Sequence, residues 1–173
     1  MSPSSSAVRL PSCNRAGVLI ATCNAYIQHQ HVSRHAVPAN LKGFLQHVSI
    51  HSPHSHSLHI VGAYCPPQSS HDAIQVQAAI FDYIRLLQPR LMSSGCRLLL
   101  AGDLNAALHP QHRSSGRLTA MDLKFRAYLQ ECNMQSCFIA DPCVLPHTCR
   151  AITQAGHSTS RIDHFLTHSG NPL

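Results

Sequence analysis

Residues 97–102 read Arg-Leu-Leu-Leu-Ala-Gly, apolar at successive rather than alternate positions. A strand with that pattern has to be covered on both faces, so the chain must fold in layers. Gly17–Cys23 is a second run of the same kind. Between them, Leu45–His51 and Leu58–Tyr64 alternate in character around a Ser/His/Pro stretch, which predicts a β-hairpin with a longer loop. Cys65-Pro66-Pro67 then stops the second strand, because proline donates nothing to a ladder.

Two segments carry helical spacing instead. Val76, Ile80, Ile84, Leu87 and Leu91 form one apolar stripe behind a capping Ser70, with Pro89 expected to kink or end the helix. Met121, Phe125, Tyr128, Leu129 and Cys132 form a second stripe, opened by a capping box at Thr119-x-x-Asp122. Arg161–Leu166 reads as a last strand. Residues 24–43 and 133–157 show no period and are expected to be irregular, and the Ser/Pro-rich residues 1–14 a disordered tail. Strands separated by helices, with a hairpin among them, give a mixed α/β chain.

Thirteen Lys and Arg against seven Asp and Glu leave a formal charge of +6. This suits a polyanionic partner, although the bases are scattered, as on an ordinary mildly basic surface. No apolar run approaches the ~18 residues of a membrane span. The fifteen histidines gather as His29, His31, His35 and as His51, His54, His56, His59. Within the second group the segment His51-Ser-Pro-His-Ser-His-Ser has turn composition, and its histidines are expected to face solvent rather than a metal. The eight cysteines contain no C-x-x-C pair, which argues against a zinc ribbon and for free thiols. Glu131 is the only glutamate, so any cation chemistry must draw on it and six aspartates.

Asp103 stands at the end of the Arg97–Gly102 strand, where ligands bind in α/β folds, and Asn105 follows two residues on. A carboxylate can orient water and an amide can donate to a phosphoryl oxygen; the same pair can equally be a turn that caps the strand. Tyr64 ends a strand and either donates its phenol to an anion or caps the sheet. Ser160-Arg161-Ile162-Asp163 sets an Arg and an Asp on one strand face, either as a salt bridge or as an Asp that orients a catalytic histidine.

Taken in order, Arg15-Ala-Gly-Val, Tyr64-Cys-Pro-Pro, Gly102-Asp103-Leu-Asn105-Ala, His147-Thr148 and Ser160-Arg161-Ile-Asp163-His-Phe-Leu resemble the endonuclease/exonuclease/phosphatase superfamily, the DNase I-like proteins. The flavour is that of the endonuclease domains of LINE-type retrotransposons. The resemblance runs over about residues 15–168 and implies a four-layered α/β sandwich that hydrolyses phosphodiesters with Mg²⁺. It implies nucleic acid, DNA first, as partner, and an intracellular setting, nuclear for a retroelement. By position, Tyr64 would contact the scissile phosphate, Asp103 would orient or activate water, Asn105 would help bind the phosphate, and Asp163 would hold a histidine in its correct tautomer.

The chain departs from this pattern at two places. No Gln-Glu metal-binding pair precedes Tyr64, and no Asp-His pair follows Asp163. The expectation is a partial domain over 15–173, lacking the first strands and the last strand. It would be inactive as a nuclease by itself, and its metal ligands are left unassigned. The alternatives are a non-catalytic nucleic-acid-binding remnant and a His/Cys metal-binding protein using His51, His54, His56 and His59.

Overall fold

A computed structural model describes residues 18, 20, 31–52, 55–67, 71–137, 149–153, 156–160 and 162–169. Among them are eight strands and two α-helices: β1 (Val32–His35), β2 (Leu45–Ser52), β3 (Ser55–Tyr64), α1 (His71–Ser93), β4 (Arg97–Asp103), α2 (Ala120–Glu131), β5 (Met134–Ser136), β6 (Cys149–Thr153), β7 (Gly156–Ser160) and β8 (Asp163–His168). Six of the strands make one sheet in the order β1-β2-β3-β4-β8-β5. Only β3 and β4 are parallel, joined through α1 as a crossover; the other pairs are antiparallel. β6 and β7 form a separate hairpin, tied to the segment before α2 by the Arg113–Ser160 bridge and the Ser114 N–H bonded to the Thr159 carbonyl.

Both helices cover one face of this sheet. Val61, Leu98, Leu100 and Leu166 alternate inward from β3, β4 and β8 and meet Ile80, Ile84 and Leu91 of α1 and Phe125 and Leu129 of α2. Phe81 stacks on Phe125 and Tyr128, with ring centroids 5.7 and 4.6 Å apart, and this joins the two helices. The predicted stripe of α2 is buried throughout, and its capping box forms as expected. The stripe of α1 is buried at Ile80, Ile84 and Leu91, but the helix runs through Pro89 to Ser93 rather than ending there. Ser70, its expected cap, lies outside the described residues.

Two regions expected to be irregular contain strands. β1 falls within 24–43, and β5 and β6 within 133–157. β1 and β5 lie at the two edges of the sheet and are only four and three residues long. Short edge strands take their order from a neighbour's ladder, so they need no apolar alternation of their own. The expected strand Gly17–Cys23 lies outside the described residues apart from Val18 and Ile20. These two pack on the sheet face opposite the helices, where a Cβ on Gly62 would come within 2.7 Å of Val18.

Gly102 meets a harder constraint. Its φ is +139°, and an added Cβ would stand 2.0 Å from the Ala63 carbonyl oxygen on the neighbouring strand. That oxygen is backbone and cannot move without opening the β3–β4 ladder. Gly102→Ala is therefore expected to destabilise the chain by about 3 kcal/mol or more. Urea denaturation followed by circular dichroism checks this, and an unchanged midpoint would contradict it.

Candidate functional site

The sheet register brings three of the four sequence-picked residues together. Tyr64 of β3 pairs with Asp103 of β4, and Asp103 pairs directly with Asp163 of β8. Partners in register share a face, so the three side chains form one row across neighbouring strands on the face away from the helices. The ladder continues past the row, with the Cys65 N–H bonded to the Asp103 carbonyl and the Leu104 N–H to that of Ile162. Asp103 is half-buried, and its carboxyl is raised above the usual range, first by burial and further by Asp163 across the ladder, with the Asn105 N–H opposing.

Asn105 sits just beyond the row with a φ of +49°, a conformation asparagine tolerates better than most residues. Its backbone N–H donates to Asp103 Oδ1 at 2.9 Å, closing an Asx turn, and its side-chain Nδ2 donates to the Cys65 carbonyl at 2.6 Å. One amide hydrogen thus ties the loop after β4 to the end of β3, which leaves one for a ligand. Both readings of the D-x-N pair, strand cap and ligand site, are compatible with this turn.

The loop after Asn105 is anchored by a residue that sequence reading took only as a helix cap. Asp122 is fully buried. Its carboxylate accepts two bonds from the Arg113 guanidinium at 2.7 and 2.6 Å, one from the Ala107 N–H at 2.6 Å and one from the Thr119 N–H at 2.7 Å. Burial works against the charge, but these donors outweigh it and hold the carboxyl below its usual range. Asp103 and Asn105 thereby gain a fixed loop beyond them.

The other described acids lie elsewhere. Asp72 and Asp82 are exposed on α1, where Asp82 pairs with Arg85, and Glu131 ends α2 on the helix layer. Arg161 and Asp141 lie outside the described residues. His164 and His168 alternate with Asp163 onto the helix-covered face, where His164 bonds the Ala106 carbonyl at 2.6 Å and packs on Phe125. Cys65, beside the row, is buried, and burial followed by the charge of Asp103 pushes its thiol up to about 12, so it is no nucleophile at neutral pH. The described cysteines, Cys65, Cys96, Cys132 and Cys137, are free thiols.

His51 and His56, expected in a turn, sit instead at the ends of β2 and β3. His51 and His56 are exposed, and His54 lies outside the described residues. His59 is buried, and it converges with His35 and His47, a grouping the sequence reading did not make. The signal was available in the hairpin register, which sets His47 two positions from the partner of His59 on one face.

Solved nucleases share this architecture. The endonuclease domain of TRAS1, a telomere-specific non-LTR retrotransposon, matches with a TM-score of 0.57 at 17% identity, over 83% of this chain and 58% of that one. The 3'-5' exonuclease NExo from Neisseria meningitidis matches at 0.56 and 17%, over 80% and 58%. The AP endonuclease from Archaeoglobus fulgidus matches at 0.55 and 13%, over 80% and 58%. The chain has the DNase I-like fold. It spans less than two thirds of the length of these DNase I-like structures. No protein-family model and no curated protein matches the sequence. No helix among the described residues is long and apolar enough to cross a membrane.

Asp103 and Asp122 should respond to pH with opposite signs. Asp122 has a lowered carboxyl, so its contribution is present above the unfolded value of ~3.9 and lost as pH falls through the folded one. Asp122→Ala should cost ~3–5 kcal/mol at pH 7, since it strands the Arg113 charge and two N–H donors. Asp103 has a raised carboxyl, so its contribution is present below ~3.9 and lost as pH rises through the folded value. Asp103→Asn keeps the turn acceptor and should stabilise the chain at pH 7 by at most ~1 kcal/mol after solvent screening, roughly 2–4 °C in Tm, with the gain vanishing at acid pH. Thermal melts of both variants at pH 3 and pH 7 check the signs; a destabilised Asp103→Asn at pH 7 would contradict the site's electrostatics.

Proposed function

We propose that the chain carries part of a nucleic-acid phosphodiester site, centred on Tyr64, Asp103, Asn105 and Asp163, that binds its substrate but turns it over poorly or not at all. The observation that carries this reading is the row of Tyr64, Asp103 and Asp163 at the ends of three neighbouring strands of a DNase I-like fold. The net charge of +6 favours a polyanion. Nucleic acid is the partner this reading takes, and the solved 3' phosphatase NExo, of the same fold, is bound to a product DNA hairpin.

Asp103 and Asp163 suit a hard divalent cation. They are two carboxylates directly opposite one another, and the charge of one raises the proton affinity of the other. They would hold Mg²⁺, which would neutralise phosphate charge there, with water and phosphate oxygens as its other ligands. In the proposed complex Tyr64 donates its phenol to a phosphoryl oxygen, Asn105 offers its second amide hydrogen, and Asp103 orients water. Hydrolysis then falls short because few further groups among the described residues join this row. Glu131, the one glutamate, ends α2 on the helix layer, and the two histidines of β8 turn away from Asp163. Removing one group that stabilises a transition state commonly costs about 10²–10³-fold in rate.

Fluorescence anisotropy with a labelled duplex tests binding, and nicking of supercoiled plasmid tests turnover. Binding should weaken linearly in log affinity against log salt, as counterion release requires. Nicking in Mg²⁺ should not exceed that of Asp103→Ala. EDTA-sensitive nicking that Asp103→Ala abolishes would overturn the claim of poor turnover. Absent or salt-independent binding would overturn the nucleic-acid reading altogether.

A further inference from the structure

At the far end of β3 from Tyr64 the inside-out pattern of the sheet reverses. On β2 and β3 the half-exposed face carries Val48, Ile50, Leu58 and Ile60, while the face under α1 buries His47, Ser49 and His59. Buried polar groups at positions where the pattern calls for apolar ones point to a purpose other than packing. His35 of the edge strand pairs directly with His47, and His59 lies diagonally across the β2–β3 ladder. The three imidazoles therefore share one face of three adjacent strands, and one ring nitrogen of each lies within 4.8 Å of the others. His59 is five residues from Tyr64, roughly 16 Å along the strand, and faces the opposite side of the sheet.

We propose that His35, His47 and His59 form a three-imidazole site for a divalent transition-metal ion, Zn²⁺ first, with its fourth position open to the cavity under α1. Neutral nitrogens without carboxylate partners exclude Mg²⁺ and Ca²⁺, which take oxygen, and suit zinc. Three protein ligands and an open position is the arrangement of zinc sites that carry a bound water. A tetrahedral site with bonds of ~2.0–2.1 Å sets its nitrogens about 3.3 Å apart. His47 Nε2 and His59 Nδ1 are 2.8 Å apart, so seating an ion parts them by only about 0.5 Å, within the reach of small side-chain rotations. The proton that these two nitrogens share moves to the far nitrogen of its own ring. On His47 that nitrogen, Nδ1, already lies 2.9 Å from the Tyr83 hydroxyl, which accepts from it and fixes the metal-binding tautomer. The open side is a cavity of about 340 Å³ lined by His35, His47, Tyr83, Leu87 and Arg90 among others. Arg90 on its wall favours an anionic or carbonyl oxygen as the fourth ligand in place of water.

The test uses the full chain, Zn²⁺ and Co²⁺. After loading and gel filtration, elemental analysis should find about one Zn²⁺ per chain, and the Co²⁺ form should show the visible bands of a tetrahedral nitrogen-rich site. His47→Ala and His59→Ala should lose the metal, and Tyr83→Phe should weaken it by ~10-fold or more while leaving the fold unchanged by circular dichroism. His51→Ala and Asp103→Asn should keep it. X-ray absorption on the zinc-loaded native chain counts the imidazoles without relying on a variant that has to fold. Three imidazoles bear the proposal out; fewer than three, a sulfur ligand, or metal retained when both histidines are replaced would overturn it.

Discussion

A single buried carboxylate fixes the loop beside the row of Tyr64, Asp103 and Asp163. Asp122 accepts from Arg113, Ala107 and Thr119 at once, and those three residues lie in the loop after β4, in the segment that meets the β6–β7 hairpin, and at the start of α2. A charge held under no exposed surface is costly unless every lone pair is met, and here the donors meet it. The consequence is local rigidity just beyond the Asp103–Asn105 turn, where a loop would otherwise be free to move.

The same sheet carries two clusters of different donor atoms because strands alternate. At the ends of β3, β4 and β8 the face away from the helices carries oxygen donors, Tyr64, Asp103 and Asp163. At the other end of β3, the face under α1 carries nitrogen donors. Hard cations and phosphate suit the first set and borderline transition ions the second, so the two do not compete for one ion. Burial and its neighbours hold His47 down to about 4, so at neutral pH that ring is the uncharged imidazole.

Much of the fold was legible along the chain. The successive apolar residues of β4, the alternation of β2 and β3 and the stripe of α2 each report a local period, and each element formed close to where that period placed it. β1 and β5 were not legible, because an edge strand of three or four residues with one apolar member owes its order to the ladder beside it. Pro89 misled in the other direction. Its fixed φ suits a helix, and α1 continues one turn past it despite the lost hydrogen bond.

The sequence by itself determined a layered α/β chain, the residues at the ends of its central strands, and a shortage of carboxylates, with one glutamate and six aspartates. These follow from short-range periodicity and from counting, which need no long-range contact. Only the tertiary structure decided that Tyr64, Asp103 and Asp163 stand in one row, since that depends on a parallel β3–β4 register and an antiparallel β4–β8 register between residues about 40 to 70 positions apart. It alone gave Asp122 its four donors and brought His35, His47 and His59 to one point. A one-residue slip in any of those ladders would have sent each side chain to the opposite face, and no property of the isolated segments chooses between the two.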